Sequence, residues 1–200
     1  NNEHGIATLN MMKALTEYSN PDFLTFNSDA TQALWEAGDL ALATFWGTRA
    51  GPIMDDEGST EEVTSNTVVA SAPFFAGGPR PSSTLWWDGF SIASNVSDED
   101  AEASFLAMMN GMSKEMVMAN NDLAVWLMDG YKPSKASVGV TETASNGAAP
   151  YPSLPFFGAL HGAAGAELTD FLQGNESAEQ ALADLEAAYT ASAKEKGFLD

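Results

Sequence analysis

Residues 34–49 (Leu-Trp-Glu-Ala-Gly-Asp-Leu-Ala-Leu-Ala-Thr-Phe-Trp-Gly-Thr-Arg) constrain the fold more than any other stretch of the sequence. Apolar residues run from Leu40 to Trp46 without polar alternation, and this pattern predicts a strand that is covered on both faces of a parallel or mixed sheet. Gly38 marks the end of the preceding helix. Open α/β sheets bind ligands at the carboxyl ends of their strands. The stretch therefore places Trp46 and Arg49 at a candidate binding edge.

Composition limits both the partners and the chemistry of this chain. Its 200 residues are 44% apolar, which suffices for one domain or for a large piece of a two-lobed protein. Eight basic residues stand against 28 acidic ones, so nucleic acid is not an expected partner, because phosphate binding needs clustered Lys and Arg. The sequence has no cysteine, which excludes disulfides, thiolate metal sites and a cysteine nucleophile.

The sequence contains no motif that predicts a catalytic site, a metal site or a cofactor. His4 and His161 lack the spacing of metal ligands, and no serine lies in a nucleophile elbow. The acidic run at 55–57 lacks the spaced oxygen ligands of an EF-hand loop. Apolar runs fall short of the ~20 residues that a membrane helix needs. Asn1 is neither an initiator methionine nor the start of a signal peptide, which indicates a processed protein or an excised piece.

Apolar periodicity and capping residues predict most of the helices. The first covers about residues 5–18. Capping boxes at Ser97 and at Ser177 begin two others, and Pro155 suits the first turn of a helix that ends at Gly174. Further helices are predicted from Ser28 to Gly38, from about Thr48, from near Ser113 and from Ser134.

Strands and loops complete the predicted pattern. Val68–Ala70 and Leu85–Ala93 are predicted strands, the second because of its aromatic and β-branched residues. Asp55–Ser65 is polar and has no apolar stripe, which predicts an exposed loop. Phe74–Ser83 is rich in Gly, Pro and Ser, which predicts a turn or a connection between lobes. Helices that alternate with buried strands predict the α/β fold class.

Several strings, taken in their order and spacing, resemble a known family. They are residues 34–49, Ala72-Pro73 with the Gly-Pro turn after it, Gly89–Ala93 followed by Ala101–Phe105, Gly130-Tyr-Lys-Pro133, and Gly174–Leu182. With them the chain resembles the carboxyl-terminal half of extracellular solute-binding proteins of family 1, which supply carbohydrates to ABC importers. The resemblance implies a periplasmic binding protein-like fold of type II, in which two lobes are joined by a hinge that the chain crosses more than once.

The resemblance also implies how this chain is divided between the lobes. Residues 1–83 would form the larger part of the carboxyl-terminal lobe, residues 84–143 would return to the amino-terminal lobe, and residues 144–200 would be a helical return to the carboxyl-terminal lobe. A full family member is about twice as long. The missing amino-terminal half is therefore an expected partner, whether this chain is a proteolytic piece, an engineered piece or one of two chains.

Sugar recognition needs flat apolar faces for C–H patches and planar polar groups for hydroxyls. The resemblance places Trp46 in the ligand-stacking region, against the alternative of a buried core tryptophan. Arg49 suits hydroxyls, a ligand carboxylate or a sulfonate, and its alternative is a salt bridge within the lobe. Trp87 and Asp88 lie where the hinge strand of the family meets ligand. Strand alternation turns Trp86 to the opposite side, and the family often has a small, Gly-rich step there.

The helix that begins at Pro155 adds two candidate ligand-binding residues. His161 lies one turn after Phe157, where the family often places an aromatic side chain against the ligand, although a structural histidine is the alternative. Phe156 or Phe157 would face the cleft, and Phe157 keeps the apolar stripe and so suits the core. The candidate set is therefore completed by His161 and Phe156.

The predicted function is a binding protein without enzymatic activity, in the periplasm or outside the cell, with or without a membrane tether. It would bind a carbohydrate, a polyol or a sugar acid between its lobes and deliver it to the permease subunits of an ABC importer. One alternative is a carbohydrate-active enzyme or its accessory module, which needs two cleft carboxylates roughly 5–10 Å apart. Another is a binder of the same fold for a non-sugar solute such as a polyamine, and Arg49 argues against a cationic ligand.

Overall fold

The computed structural model describes residues 1–55, 57–75 and 77–200, which divide into two compact units. The terminal unit comprises Asn1–Asn27 and Pro152–Asp200, and the central unit comprises Ser28–Tyr151. Helices make up most of the terminal unit and the greater part of the regular structure of the central unit, and the described residues contain one sheet, of two parallel strands. The structure is thus mostly helical with one small parallel sheet, which agrees with the predicted α/β class only in part, and the periplasmic binding protein-like fold of type II stays a prediction. The lobe boundaries at 83/84 and 143/144 refer to a longer protein and stay a prediction.

The elements follow one another along the chain with two short 3₁₀ turns, at Phe23–Thr25 and at Gly47–Arg49. In order, they are α1 (Glu3–Thr16), α2 (Ser28–Glu36), α3 (Ala50–Ile53), α4 (Glu61–Asn66), β1 (Thr84–Leu85), α5 (Asp98–Gly111), α6 (Lys114–Ala119), α7 (Val138–Ser145), β2 (Ala149–Pro150), α8 (Pro155–Gln173) and α9 (Ala178–Glu195).

The terminal unit is built on the packing of α8 against α9, with α1 across both. Leu9 and Phe171 are 4% and 5% exposed and form the centre of its core with two alanines of α9. Small side chains such as Ala181, which is fully buried, let the helix backbones approach closely. The half-buried apolar residues around this centre are Ile6, Leu168, Leu172 and Leu182.

Most predicted helix ends are confirmed, because capping chemistry is local. Ser97 accepts a hydrogen bond from the backbone N–H of Asp100 at 3.1 Å, and Ser177 accepts one from Gln180 at 3.2 Å. Pro155 occupies the first turn of α8, where its missing N–H removes no helical hydrogen bond. The predicted stops at glycine are also confirmed, since Gly38 and Gly174 have φ of 79° and 87°, which favours glycine.

The predicted strand at Leu40–Trp46 is wrong for this structure. The segment is irregular and forms no strand among the described residues, and Leu42 is 91% exposed. The strand at Val68–Ala70 is wrong as well, with Val68 85% exposed, and of Leu85–Ala93 only the first residue lies in a strand. A strand needs a neighbour for its backbone hydrogen bonds, and the described residues pair only where β1 meets β2 and at one isolated antiparallel bridge between Phe74 and Pro81.

The loop predicted at Asp55–Ser65 is wrong in its second half, where α4 begins after Thr60. The hydroxyl of Thr60 accepts a hydrogen bond from the N–H of Val63 at 3.4 Å. The helix is short and its described residues are half-buried or exposed, so it leaves no apolar stripe in the sequence. Asp56 lies outside the described residues.

Helix α7 packs closely against the segment 69–72 in the central unit. A Cβ on Gly139 would lie 2.7 Å from Val69 Cγ1 and 2.8 Å from the Ala70 carbonyl oxygen, so only glycine fits at this contact. Thr143 is buried; its Oγ1 accepts a hydrogen bond from the Ala72 N–H at 2.9 Å and donates one to the Gly139 carbonyl at 2.6 Å. The extended segment 69–72 is thus fixed to a helix.

Candidate functional site

Three aromatic side chains of the central unit meet in what we call the aromatic cluster: Trp46, Trp86 and Tyr151. The rings of Trp86 and Tyr151 are stacked, with centroids 3.6 Å apart and planes at 25°. The ring of Trp46 stands perpendicular to that of Trp86, with centroids 5.4 Å apart. The cluster therefore presents aromatic surface in two directions.

The sheet explains why Trp86 and Tyr151 stack. Strands β1 and β2 run parallel, and Leu85 pairs with Pro150. The residues that follow the two strands, Trp86 and Tyr151, therefore lie side by side. The N–H of Tyr151 donates to the Leu85 carbonyl at 2.8 Å, and the indole N–H of Trp86 donates to Thr84 Oγ1 at 3.1 Å. Two paired residues in each strand are enough to set the register of β1 against β2 and so to bring Trp86 and Tyr151 together.

The cluster remains open to solvent in spite of its ring contacts. Trp46 is 49% exposed and Trp86 is 42% exposed, whereas tryptophans in soluble proteins are highly buried on average. Exposed indole surface is a favourable partner for the C–H faces of a sugar ring, because it is flat and apolar with a polar edge. The core alternative for Trp46 does not fit this exposure.

The turn that carries Trp46 is pressed against α7. A Cβ on Gly47 would lie only 1.8 Å from Val140 Cγ2, so the backbone approaches the helix as closely as glycine permits. Arg49 ends the same 3₁₀ turn, and its N–H donates to the Trp46 carbonyl at 2.9 Å. This packing fixes the backbone positions from which the side chains of Trp46 and Arg49 project.

Arg49 belongs to a chain of polar contacts on α2, which we call the polar network: Asp29, Gln32, Glu36 and Arg49. Its Nη1 donates to Asp29 Oδ1 at 2.6 Å and to Gln32 Oε1 at 3.1 Å. The Gln32 amide in turn donates to Glu36 Oε1 at 2.7 Å. The predicted alternative for Arg49, a salt bridge, is therefore present. One 3₁₀ turn separates this network from the aromatic cluster.

The structure brings together some predicted site residues and not others. Trp46 and Arg49 lie in one turn, whereas Trp87 and Asp88 follow in an exposed extended segment. Among the described residues, neither Trp87 nor Asp88 makes a hydrogen bond or ring contact. Trp86 was predicted to lie on the side of the strand opposite Trp87, away from the ligand, but it lies in the aromatic cluster. Alternation does not apply to it, because β1 ends at Leu85.

The other two predicted residues lie in the terminal unit. Phe156 is 36% exposed, and His161 is exposed one turn further along α8. His161 lies on the side of α8 opposite the buried Ala159 and Ala163, whereas Phe156 lies at the start of the helix, on the same face as these two alanines. Their predicted role in ligand binding stays a prediction.

Sequence reasoning missed Tyr151, Asp29 and Gln32. The spacing of Asp29 and Gln32 puts both on one side of α2, and this signal was available beside Arg49. Nothing in the sequence indicates that Tyr151 would meet Trp86, because their proximity depends on the pairing of β1 with β2. Tyr151 lies in a Pro-rich connection that has no helical or strand periodicity.

The terminal unit contains a groove of about 300 Å³, which lies between α1, α8 and the first 3₁₀ turn. Its lining is mostly apolar, and its two hydroxyls already donate to carbonyls of their own helix region, Thr16 to Lys13 at 2.7 Å and Ser19 to Leu15 at 3.1 Å. The groove lacks the planar polar groups that orient a sugar. The lining residues are Met12, Leu15, Thr16, Ser19, Phe23 and Leu172.

The aromatic cluster and the polar network are the main candidate site of the described chain. Within residues 1–55, 57–75 and 77–200, no three His, Asp or Glu side chains are grouped so as to hold a metal ion. Nor is any helix in that part of the chain long and apolar enough to cross a membrane. No protein-family model matches the sequence, and no characterised protein matches it.

Proposed function

We propose that the chain is part of a solute-binding protein of an ABC importer and binds a carbohydrate without chemically changing it. The observation that carries the proposal is the solvent-exposed aromatic cluster one turn away from the polar network. The ordered strings that resemble family 1 of the extracellular solute-binding proteins support it independently.

The two groups suit the two kinds of surface on a sugar. Trp46 and Trp86 offer aromatic faces to the C–H patches of the ring, and burying such a patch removes apolar area from water. Arg49, Asp29 and Gln32 offer donors and acceptors in fixed positions for hydroxyls. Fixed polar groups set the orientation of the ligand, and the aromatic faces supply much of its affinity.

For the whole protein, the proposal includes a second cleft wall from an amino-terminal half and hinge closure around the sugar. Closure needs only that the ligand bind the closed form more tightly than the open form. The closed protein would then be recognised by the permease subunits of the importer, in the periplasm or outside the cell. The proposal includes no cofactor and no covalent step.

Isothermal titration calorimetry of the folded 200-residue chain against mono- and disaccharides tests the proposal. We expect heats of binding for some sugars, with a matching change in tryptophan emission. The variant Trp46→Ala removes one aromatic wall and should weaken binding on the order of tenfold, equivalent to about 1.4 kcal/mol. Phe105→Ala is the matched control, since Phe105 is a 54% exposed aromatic residue of α5 outside the cluster.

Three outcomes would contradict the proposal or its site. Silence of a folded sample across glucose, galactose, mannose, maltose and cellobiose would remove carbohydrate as the ligand. Steady release of nitrophenol from nitrophenyl glycosides would show turnover, which a binding protein does not perform. Equal losses in Trp46→Ala and Phe105→Ala would place the bound sugar away from the aromatic cluster.

A further inference from the structure

The polar network has a fixed order of donors and acceptors. Gln32 lies in the middle of it, with its amide oxygen on Arg49 Nη1 at 3.1 Å and its amide nitrogen on Glu36 Oε1 at 2.7 Å. These two contacts set the orientation of the amide group. Arg49 is thereby held between Asp29 and Gln32, and its side chain is 34% exposed.

The charges in this network sum to a net negative value. Two carboxylates, of Asp29 and Glu36, accompany one guanidinium, and the whole chain carries a net charge of −20. Asp29 lies 2.6 Å from Arg49 Nη1, and its side chain is 74% exposed. A second carboxylate that approached Arg49 would therefore stand beside one already in place, and like charges a few Å apart repel.

We infer that the ligand of this site is a neutral carbohydrate rather than a sugar acid, an inference that rests on the proposed carbohydrate-binding function. Arg49 uses one nitrogen, Nη1, for both contacts with α2, and Asp29 uses one oxygen, Oδ1. Within the part of the chain that the structure describes, the other N–H groups of the guanidinium and Oδ2 of the carboxylate make no hydrogen bond, which leaves them for a ligand. Hydroxyls can both donate and accept, so a neutral sugar satisfies this mixture, whereas a carboxylate only accepts.

Matched pairs of sugars test the inference with the whole 200-residue chain. Glucose and glucuronate differ only in the group at C6, as do galactose and galacturonate. Calorimetric titration with each pair should show the neutral sugar binding more tightly, by a factor on the order of ten, as expected for a partly screened repulsion at short range. The preference should shrink as salt is added, because salt screens charge repulsion.

The variant Asp29→Asn isolates the charge from the hydrogen bond. The asparagine oxygen still accepts from Arg49 Nη1, but the negative charge is gone. We expect the ratio of neutral to acidic affinity to fall by a factor on the order of ten. Glu99→Gln makes the same change in net charge on the exposed first turn of α5 and should leave the ratio as it is.

The outcomes separate this inference from the function on which it rests. If the sugar acids bind more tightly than their neutral partners, the carbohydrate function stands and the neutral preference is overturned. An unchanged ratio in Asp29→Asn also overturns it, because the charge at Asp29 would then not be its cause. If no member of either pair binds, and the neutral disaccharides also fail, the function itself is lost and the inference with it.

Discussion

The two units of this chain differ in how many exposed apolar residues lie outside helices. In the terminal unit, Leu9 and Phe171 are at most 5% exposed and the helices close around them. The central unit buries Val117, but its Leu42, Val68 and Phe90 are 91%, 85% and 74% exposed and lie in segments that are neither helix nor strand. Helices satisfy their own backbone hydrogen bonds, whereas extended segments need neighbours.

The difference shows what stabilises each unit. The terminal unit depends on burial of a small core between three helices. The central unit buries Val117 and Ile53, and its loops also make close contacts with α7, at Gly47, Gly139 and Thr143. Loss of apolar volume should therefore harm the terminal unit, and added volume at a close contact should harm the central unit.

The largest effect is expected from Phe171→Ala in the terminal unit. Phe171 is 5% exposed and packs with Leu9 and Ala181, so its truncation removes buried apolar area and leaves a cavity. We expect a loss of about 3–5 kcal/mol in the free energy of unfolding. Amide hydrogen exchange of peptides from α8 and α9, read by mass spectrometry, should rise accordingly.

Met11→Ala is the control for Phe171→Ala, because Met11 lies on the same unit but is 56% exposed. Its truncation should change the stability by less than about 0.5 kcal/mol. Similar exchange rates in the two variants would show that the core around Phe171 does not stabilise the terminal unit.

Gly47→Ala is expected to destabilise the central unit. The new methyl group would lie 1.8 Å from Val140 Cγ2, and such overpacking costs about 1–3 kcal/mol. All five tryptophans belong to the central unit, so urea unfolding followed by tryptophan emission reports this unit directly. The midpoint should fall, and sugar binding should weaken, because the turn carries Trp46 and Arg49.

A second substitution tests whether the clash is the cause. Val140→Ala removes the methyl group that the new side chain at position 47 would meet. The double variant should therefore regain stability relative to the sum of the two single effects, with a coupling of about 1 kcal/mol or more. Gly111→Ala is the control in the same unit, because a Cβ there meets nothing within 4 Å. Additive effects of Gly47→Ala and Val140→Ala would disprove this account.

The sequence predicts the local features of the fold better than the contacts between distant segments. The helices of the terminal unit and the caps at Ser97 and Ser177 were predicted, because periodicity and capping depend on residues within a turn or two. The strand at Leu40–Trp46 was predicted wrongly, since an apolar run shows that a strand would be buried but not that a neighbour exists. The helix α4 was missed for lack of an apolar stripe.

The same holds for the residues of the candidate site. Trp46 and Arg49 were chosen from one stretch of sequence, and the structure places both in one turn. Tyr151 was missed because its contact with Trp86 joins residues far apart in the chain and depends on a two-residue parallel pair. Asp29 and Gln32 were within reach, because residues three apart share a helix face.

The smallest effect, of opposite sign, is expected from Gly158→Ala in α8. A Cβ at Gly158 would meet nothing within 4 Å, and the residue lies inside the helix, where glycine is less favourable than alanine by about 0.5–1 kcal/mol. We therefore expect a gain of that size and slower hydrogen exchange in α8. The same substitution would thus stabilise the terminal unit and, at Gly47, destabilise the central one. A loss of stability at Gly158 would mean that this face of α8 is covered in solution.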